Sequence, residues 1–214
     1  MNLKEPFVIT VSREAGSGGH TVGAILAEKL GTRYLDNYLI KALEEKFKLT
    51  VSGIEKLKGE KKNWFADFAE FITPIPSARA LNINSRYTQE FRPGVSTAEI
   101  FKAESEILKG LAEEGSCVIA GRSGFFVLKD HPNHLKVFIT AGKEYRIDRI
   151  MRKQGLSRNE AEALIDDLDA KRENYIKKYT GKSRYDLRNY DLVLKADGHD
   201  EESLAGLILD YIGK

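Results

Sequence analysis

The sequence predicts an α/β fold in three layers, a central and mostly parallel sheet of five strands with helices on both faces. Three observations carry the prediction. Short β-branched runs alternate with longer segments of helical period. The strand runs are almost continuously apolar, as expected of strands covered on both sides. The first run opens directly into a glycine-rich turn and then a helix, so the loop sits at the C-terminal end of a strand, where open α/β sheets bind their ligands.

Four apolar runs, Phe7 to Val11, Cys117 to Ala120, Leu135 to Ile139 and Leu192 to Lys195, read as strands, and Arg33-Tyr-Leu35 adds a short fifth. The first helix carries Val22, Ile25, Leu26 and Leu30 on one face and stops at Gly31. A second opens at Ser96 with Glu99 in capping-box spacing, carries Ile100, Ile107, Leu108 and Leu111, and stops at Gly115. Another opens with Ser157-x-x-Glu160, places Leu164, Ile165, Leu168, Tyr175, Ile176 and Tyr179 at helical spacing, and stops before Gly181.

At 214 residues the chain can bury one substantial core, so a single domain over 1–214 is expected. Its insert would span about 60–95 and its lid about 143–188. Pro74, Pro76 and Pro93 punctuate the insert, and Trp64, Phe65, Phe68, Phe71, Tyr87 and Phe91 give it too many aromatics for a solvated tether. They pack as an acceptor-site wall, as a partner-subunit contact that would allow a homodimer, or as a satellite core.

Net charge is +2, with 31% charged and 42% hydrophobic residues, so composition points to neither a nucleic-acid partner nor a membrane surface. No apolar run approaches the roughly 20 residues that cross a bilayer, and Met1 to Pro6 has no leader pattern, so a cytoplasmic location is expected. The single cysteine, Cys117, lies in an apolar run and reads as a small buried hydrophobe.

The chemistry concentrates in Ser12-Arg-Glu-Ala-Gly-Ser-Gly-Gly-His-Thr21. Backbone N–H groups of Gly16, Ser17, Gly18, Gly19 and His20, gathered at the positive end of the following helix, form a cradle for phosphate. The usual phosphate loop is G-x-x-x-x-G-K-[ST]; here Arg13 takes the first glycine position, Gly19 the lysine position, and His20 with Thr21 the place of the hydroxyl. Arg13 is the nearest cation and is expected to replace the lysine at the β and γ phosphates. Thr21 is expected to hold Mg²⁺ directly or through water.

Arg122 follows a strand at its C-terminal end and either forks onto a phosphate or pairs with a structural carboxylate. Arg146, Arg149 and Arg152 recur every third residue, usually the mark of a solvated basic face. Arg172 interrupts an apolar stripe and either snorkels or reaches into a cleft. From Lys143 to Arg188 there are thirteen Lys or Arg against nine Asp or Glu, a mildly positive segment suited to closing over phosphates. Asp36 either accepts hydrogen bonds from a substrate or caps the next helix.

Together with Val118-Ile-Ala-Gly-Arg122, Asp169-x-x-Arg172-x-x-Tyr175 and Tyr190-Asp-Leu-Val193, the loop resembles the cytidylate kinase-like family. The resemblance spans nearly the whole chain. It implies a P-loop nucleoside monophosphate kinase architecture, with an acceptor-binding insert and a helical, arginine-rich lid. It assigns Gly16 to Thr21 to the donor phosphates, Arg122 and Asp36 to the acceptor, and Arg149 with Arg172 to the lid. The activity it implies is transfer of the γ-phosphoryl of ATP, with Mg²⁺, to a CMP-like nucleoside monophosphate or another small acceptor. Relative to true cytidylate kinases, Gly19, Ser123 and Ala42 replace the loop lysine, an aspartate and an arginine. The competing readings are a kinase of a non-nucleotide metabolite and a catalytically silent nucleotide-binding module.

Overall fold

A computed structural model of the protein describes residues 1–35 and 97–213. Asp36, Ala42, Ser96 and the aromatic insert lie outside the described residues. Five strands form one sheet: β1 (Val8–Arg13), β2 (Arg33–Tyr34), β3 (Cys117–Ala120), β4 (His134–Thr140) and β5 (Leu192–Lys195). Their order is β2-β3-β1-β4-β5, and every pairing is parallel. The register sets Val8 beside Cys117 and His134, so β1, β3 and β4 begin level with one another, and β3 stops at Ala120 beside Val11.

The helices are α1 (Gly19–Leu30), α2 (Thr97–Glu113), the single turn α3 (Gly124–Val127), α4 (Lys143–Gln154), α5 (Arg158–Thr180) and α6 (Glu201–Tyr211). Alternation along β1 divides the core. Ile9 and Val11 face α1 and α6 with Val22, Leu26, Leu204 and Ile208, while Val8 faces α2 with Ile100, Leu108 and Leu111. Ala15 of the glycine loop joins Ile147, Ile150, Leu164, Ile165 and Leu168 of α4 and α5, which ties the loop to those two helices.

Two expectations need correction here. β5 is an edge strand, so Val193 is exposed while Leu192 and Leu194 pack on the core; an apolar run of four does not distinguish an edge from a centre. The arginines of α4 do not share a solvated face either. Three residues advance a helix by about 300°, so each arginine lags its predecessor by about 60°. Arg146 is therefore buried while Arg152 is exposed. Cys117 is fully buried, and its burial pushes the thiol up to about 11, as suits an inert packing residue.

Candidate active site

The loop between β1 and α1 owes its shape to two glycines in the left-handed region, Gly16 at φ +79° and Gly18 at φ +84°. A Cβ at Gly16 would lie 2.9 Å from the Arg146 carbonyl oxygen, so the loop closes tightly on α4. Ser17 is turned inward: its Oγ and its N–H both donate to the Glu14 carbonyl, at 3.0 and 3.3 Å. It braces the loop, which takes its N–H out of the cradle expected from the sequence. Glu14 in turn accepts from Thr140 Oγ1 at 2.5 Å and from the Ala141 N–H at 3.1 Å, anchoring the loop to the end of β4.

Gly19 explains the absent lysine. A Cβ there would sit 2.5 Å from Arg13 Cβ and 3.1 Å from its Cγ. The Arg13 stem thus runs over the position where a lysine side chain would begin. At the far end of the side chain, a Cβ on Gly121 would fall on Arg13 Nη1, so the guanidinium rests against the turn that follows β3. The space of the lysine is filled by an arginine entering from β1.

Thr21 Oγ1 is buried and has no hydrogen-bond partner among the described residues. A buried hydroxyl left with open acceptor capacity, in the first turn of the helix behind the glycine loop, fits a hydrated or directly bound Mg²⁺. The His20 ring meets Tyr34 edge-on at 5.3 Å, facing β2.

Arg122 and Ser123 both adopt left-handed backbone, at φ +56° and +54°, which is costly for residues with a Cβ. Arg122 Nη1 stands 3.6 Å from Oε1 of Glu104, a carboxylate only 1% exposed on α2. The other Glu104 oxygen accepts from Tyr175 Oη of α5 at 2.9 Å. Phe101 stacks on Tyr179 at 5.0 Å beside them, joining α2 to the second half of α5.

The expected lid arginines separate to different ends of the loop. Arg149 is held by Glu201, with Nε and Nη2 donating to Oε1 at 3.2 and 2.7 Å. Burial raises the Glu201 carboxyl, but the Arg149 hydrogen bonds outweigh it and hold the group below the ordinary range. Glu201 abuts the loop, since a Cβ on Gly18 would lie 3.2 Å from its Cγ. Arg172 instead stands 3.9 Å from Asp169 Oδ1, the oxygen that accepts the Ala15 N–H at 2.9 Å.

Asp169 gathers more than Arg172. Its Oδ2 accepts from Arg146 Nη1 at 2.6 Å, and Arg184 Nη1 lies 3.5 Å from its Oδ1. Arg184, only 2% exposed, also donates to the Arg13 carbonyl. Neither Arg184 nor Glu104 was singled out from the sequence. Glu104 left a signal, because it stands midway between Ile100 and Leu108 on the buried face of α2. Arg184 left none, lying in a loop 171 residues from the carbonyl it binds.

The model of the cytidylate kinase-like family matches residues 8–197, nearly the whole chain. The chain belongs to that family. Its enzymatic class is accordingly that of a kinase. A cytidylate kinase of Thermotoga sp. (strain RQ2) is 30% identical over 190 residues, covering 78% of this chain and 82% of the relative. Among solved structures, an uncharacterised protein of Eubacterium ventriosum ATCC 27560 superposes with a TM-score of 0.69 at 23% identity, covering 97% of this chain and 98% of that one. Shikimate kinase of Bacteroides thetaiotaomicron shares the fold with a TM-score of 0.55 at 17% identity, over 97% and 99% of the two chains. No described helix is long and apolar enough to cross a membrane.

Proposed function

We propose that this member of the cytidylate kinase-like family transfers the γ-phosphoryl group of ATP to the phosphate of a CMP-like nucleoside monophosphate. The observation that carries the reading is the path of Arg13, whose stem covers Gly19 and whose head reaches Gly121, the residue before Arg122. It spans the gap between a donor-phosphate loop and an acceptor arginine.

In this reading the triphosphate lies along Gly16 to Thr21. Its base occupies an open groove of about 370 Å³ lined by Tyr145, Arg149, His199, Asp200 and Glu201, beyond the Gly18 end of the loop. That polarity directs the γ-phosphoryl toward Arg13 and Ala15. Arg122, fixed by its buried carboxylate, holds the acceptor phosphate, with Asp36 proposed as a further acceptor contact. An acceptor oxygen forms a bond to the γ-phosphorus in line with the breaking bond to the β–γ bridging oxygen, and ADP leaves with that electron pair. Arg13 and Arg172 offset the charge that spreads over the moving group. Thr21 would hold Mg²⁺ or its water, and the bound metal would neutralise the donor phosphates. Arg149 serves the base end of the donor in this arrangement, through its pair with Glu201.

A coupled ADP-release assay over nucleoside monophosphates, small hydroxylated metabolites and their phosphates tests the assignment. Release with one monophosphate is expected. Arg13→Ala should lower kcat about 10² to 10³-fold, the loss typical of removing one electrostatic stabiliser. Unchanged turnover in that variant would remove Arg13 from the mechanism, and release with only a non-nucleotide acceptor would overturn the substrate class.

A further inference from the structure

The Asp169 cluster is built like an anion seat, and a carboxylate of the protein sits in it. Oδ1 of Asp169 receives the N–H of Ala15, a group of the phosphate loop itself, at 2.9 Å. Two guanidinium atoms converge on the same oxygen, Arg184 Nη1 at 3.5 Å and Arg172 Nη1 at 3.9 Å. Both are buried, and neither has a hydrogen-bond acceptor among the described residues. Two charge-bearing donors thus face one oxygen at distances too long for hydrogen bonds to it. Leaving such donors unmatched is costly, so the cluster has unused capacity for an anion with more oxygens than a carboxylate.

Position identifies the anion. The seat adjoins Arg13 and Ala15, the end of the loop away from the groove beside Gly18. A nucleotide with its base in that groove brings its terminal phosphate to this end. We propose that Arg184 and Arg172 together read the terminal phosphate of a nucleoside triphosphate, and that Asp169 holds their place until that phosphate arrives. The inference rests on the donor-site reading above and adds to it a specific duty for Arg184. A phosphate oxygen takes over the Ala15 N–H and the two guanidinium donors from Oδ1, while Oδ2 keeps its bond to Arg146 and α5 stays tethered. A diphosphate ends short of the seat and gains nothing from it, so the device discriminates substrate from product.

Isothermal titration of ATP and of ADP, each with Mg²⁺, tests the assignment on the wild type, Arg184→Met, Arg184→Lys and Asp169→Asn. Wild-type protein should bind ATP more tightly than ADP. Both Arg184 variants should weaken ATP by about tenfold or more, the loss expected of a charge-assisted contact, with ADP nearly unchanged. Lysine keeps a donor for the Arg13 carbonyl, so Arg184→Lys carries the test if the methionine variant misfolds. Asp169→Asn weakens the occupant of the seat and should raise the ratio of ATP to ADP affinity. Equal losses for both nucleotides would make Arg184 a structural staple and overturn the inference. Wild-type ATP preference that survives in Arg184→Lys would overturn it too, leaving the donor site intact. Failure of wild-type protein to bind ATP would overturn the donor-site reading itself.

Discussion

At the scale of single residues, the informative pair is Arg13 and Gly19. A lysine-free phosphate loop reads from its pattern alone as a damaged one. Its geometry instead describes an exchange of two side chains in one space, because the stem that enters from β1 excludes any Cβ at Gly19. The exchange makes a reversible prediction. Gly19→Lys alone forces a Cβ to 2.5 Å from Arg13 Cβ and should weaken ATP binding by about tenfold or more, the cost of overpacking. Arg13→Gly with Gly19→Lys clears that space and restores the pattern G-x-x-x-x-G-K over residues 13–19. ATP titration should recover most of the loss in the double variant. Additive losses would mean that Gly19 is required by something other than the Arg13 stem.

At the scale of elements, the helices that carry the site were readable where apolar period and caps agree. The Ser157 capping box is formed on both sides, and Gly181 ends α5 at φ +69°. Helix α6 went unread although Asp200 caps it through the Ser203 N–H and Leu204 and Ile208 form its buried face. Local chemistry marked its start, but the polar Asp200-Glu-Glu202 run masked a short stripe. What sequence spacing cannot supply is which carboxylate faces which arginine. Arg149 and Arg172 look alike as lid residues, yet Glu201 and Asp169 hold them at different ends of the loop. Glu104 is where α2 and α5 meet, and it belongs to both helices energetically. Tyr175→Phe removes a donor from a buried carboxylate and should lower unfolding free energy by about 1–3 kcal/mol in denaturant titration. Glu104→Ala removes the carboxylate that faces Arg122 and accepts from Tyr175, and should cost about 3–5 kcal/mol, with the higher acceptor KM that the proposed role of Arg122 requires; a smaller effect than that of Tyr175→Phe would show that Arg122 is held mainly by other groups.

At the scale of the whole molecule, net charge of +2 says little about pH behaviour, which is set by groups whose ionisation folding changes. His134 joins β4 to the sheet interior. Its Nδ1 faces the Leu128 carbonyl at 2.9 Å, which requires a proton on that nitrogen, and Nε2 meets Thr10 Oγ1 at 2.8 Å. Burial lowers its pKa from 6.5 to about 4. Between those values the unfolded chain binds a proton that the folded chain refuses, so stability falls as pH drops from 6.5 toward 4. The slope is at most about 1.4 kcal/mol per pH unit for one group. Carboxylates act in a lower window. Hydrogen bonds from Ser157 hold Glu160 below its usual value, and those from Ser203 do the same for Asp200; their contribution is present above the unfolded pKa and disappears as pH falls through the folded one. Acid unfolding should therefore begin in the histidine window and steepen in the carboxylate window. His134→Gln, whose amide can donate to the Leu128 carbonyl and accept from Thr10, should flatten the upper part and leave the lower part in place. Thermal unfolding measured at half-unit steps from pH 7.5 to 3.5 decides it, and an unchanged upper slope in His134→Gln would assign that loss of stability to another group.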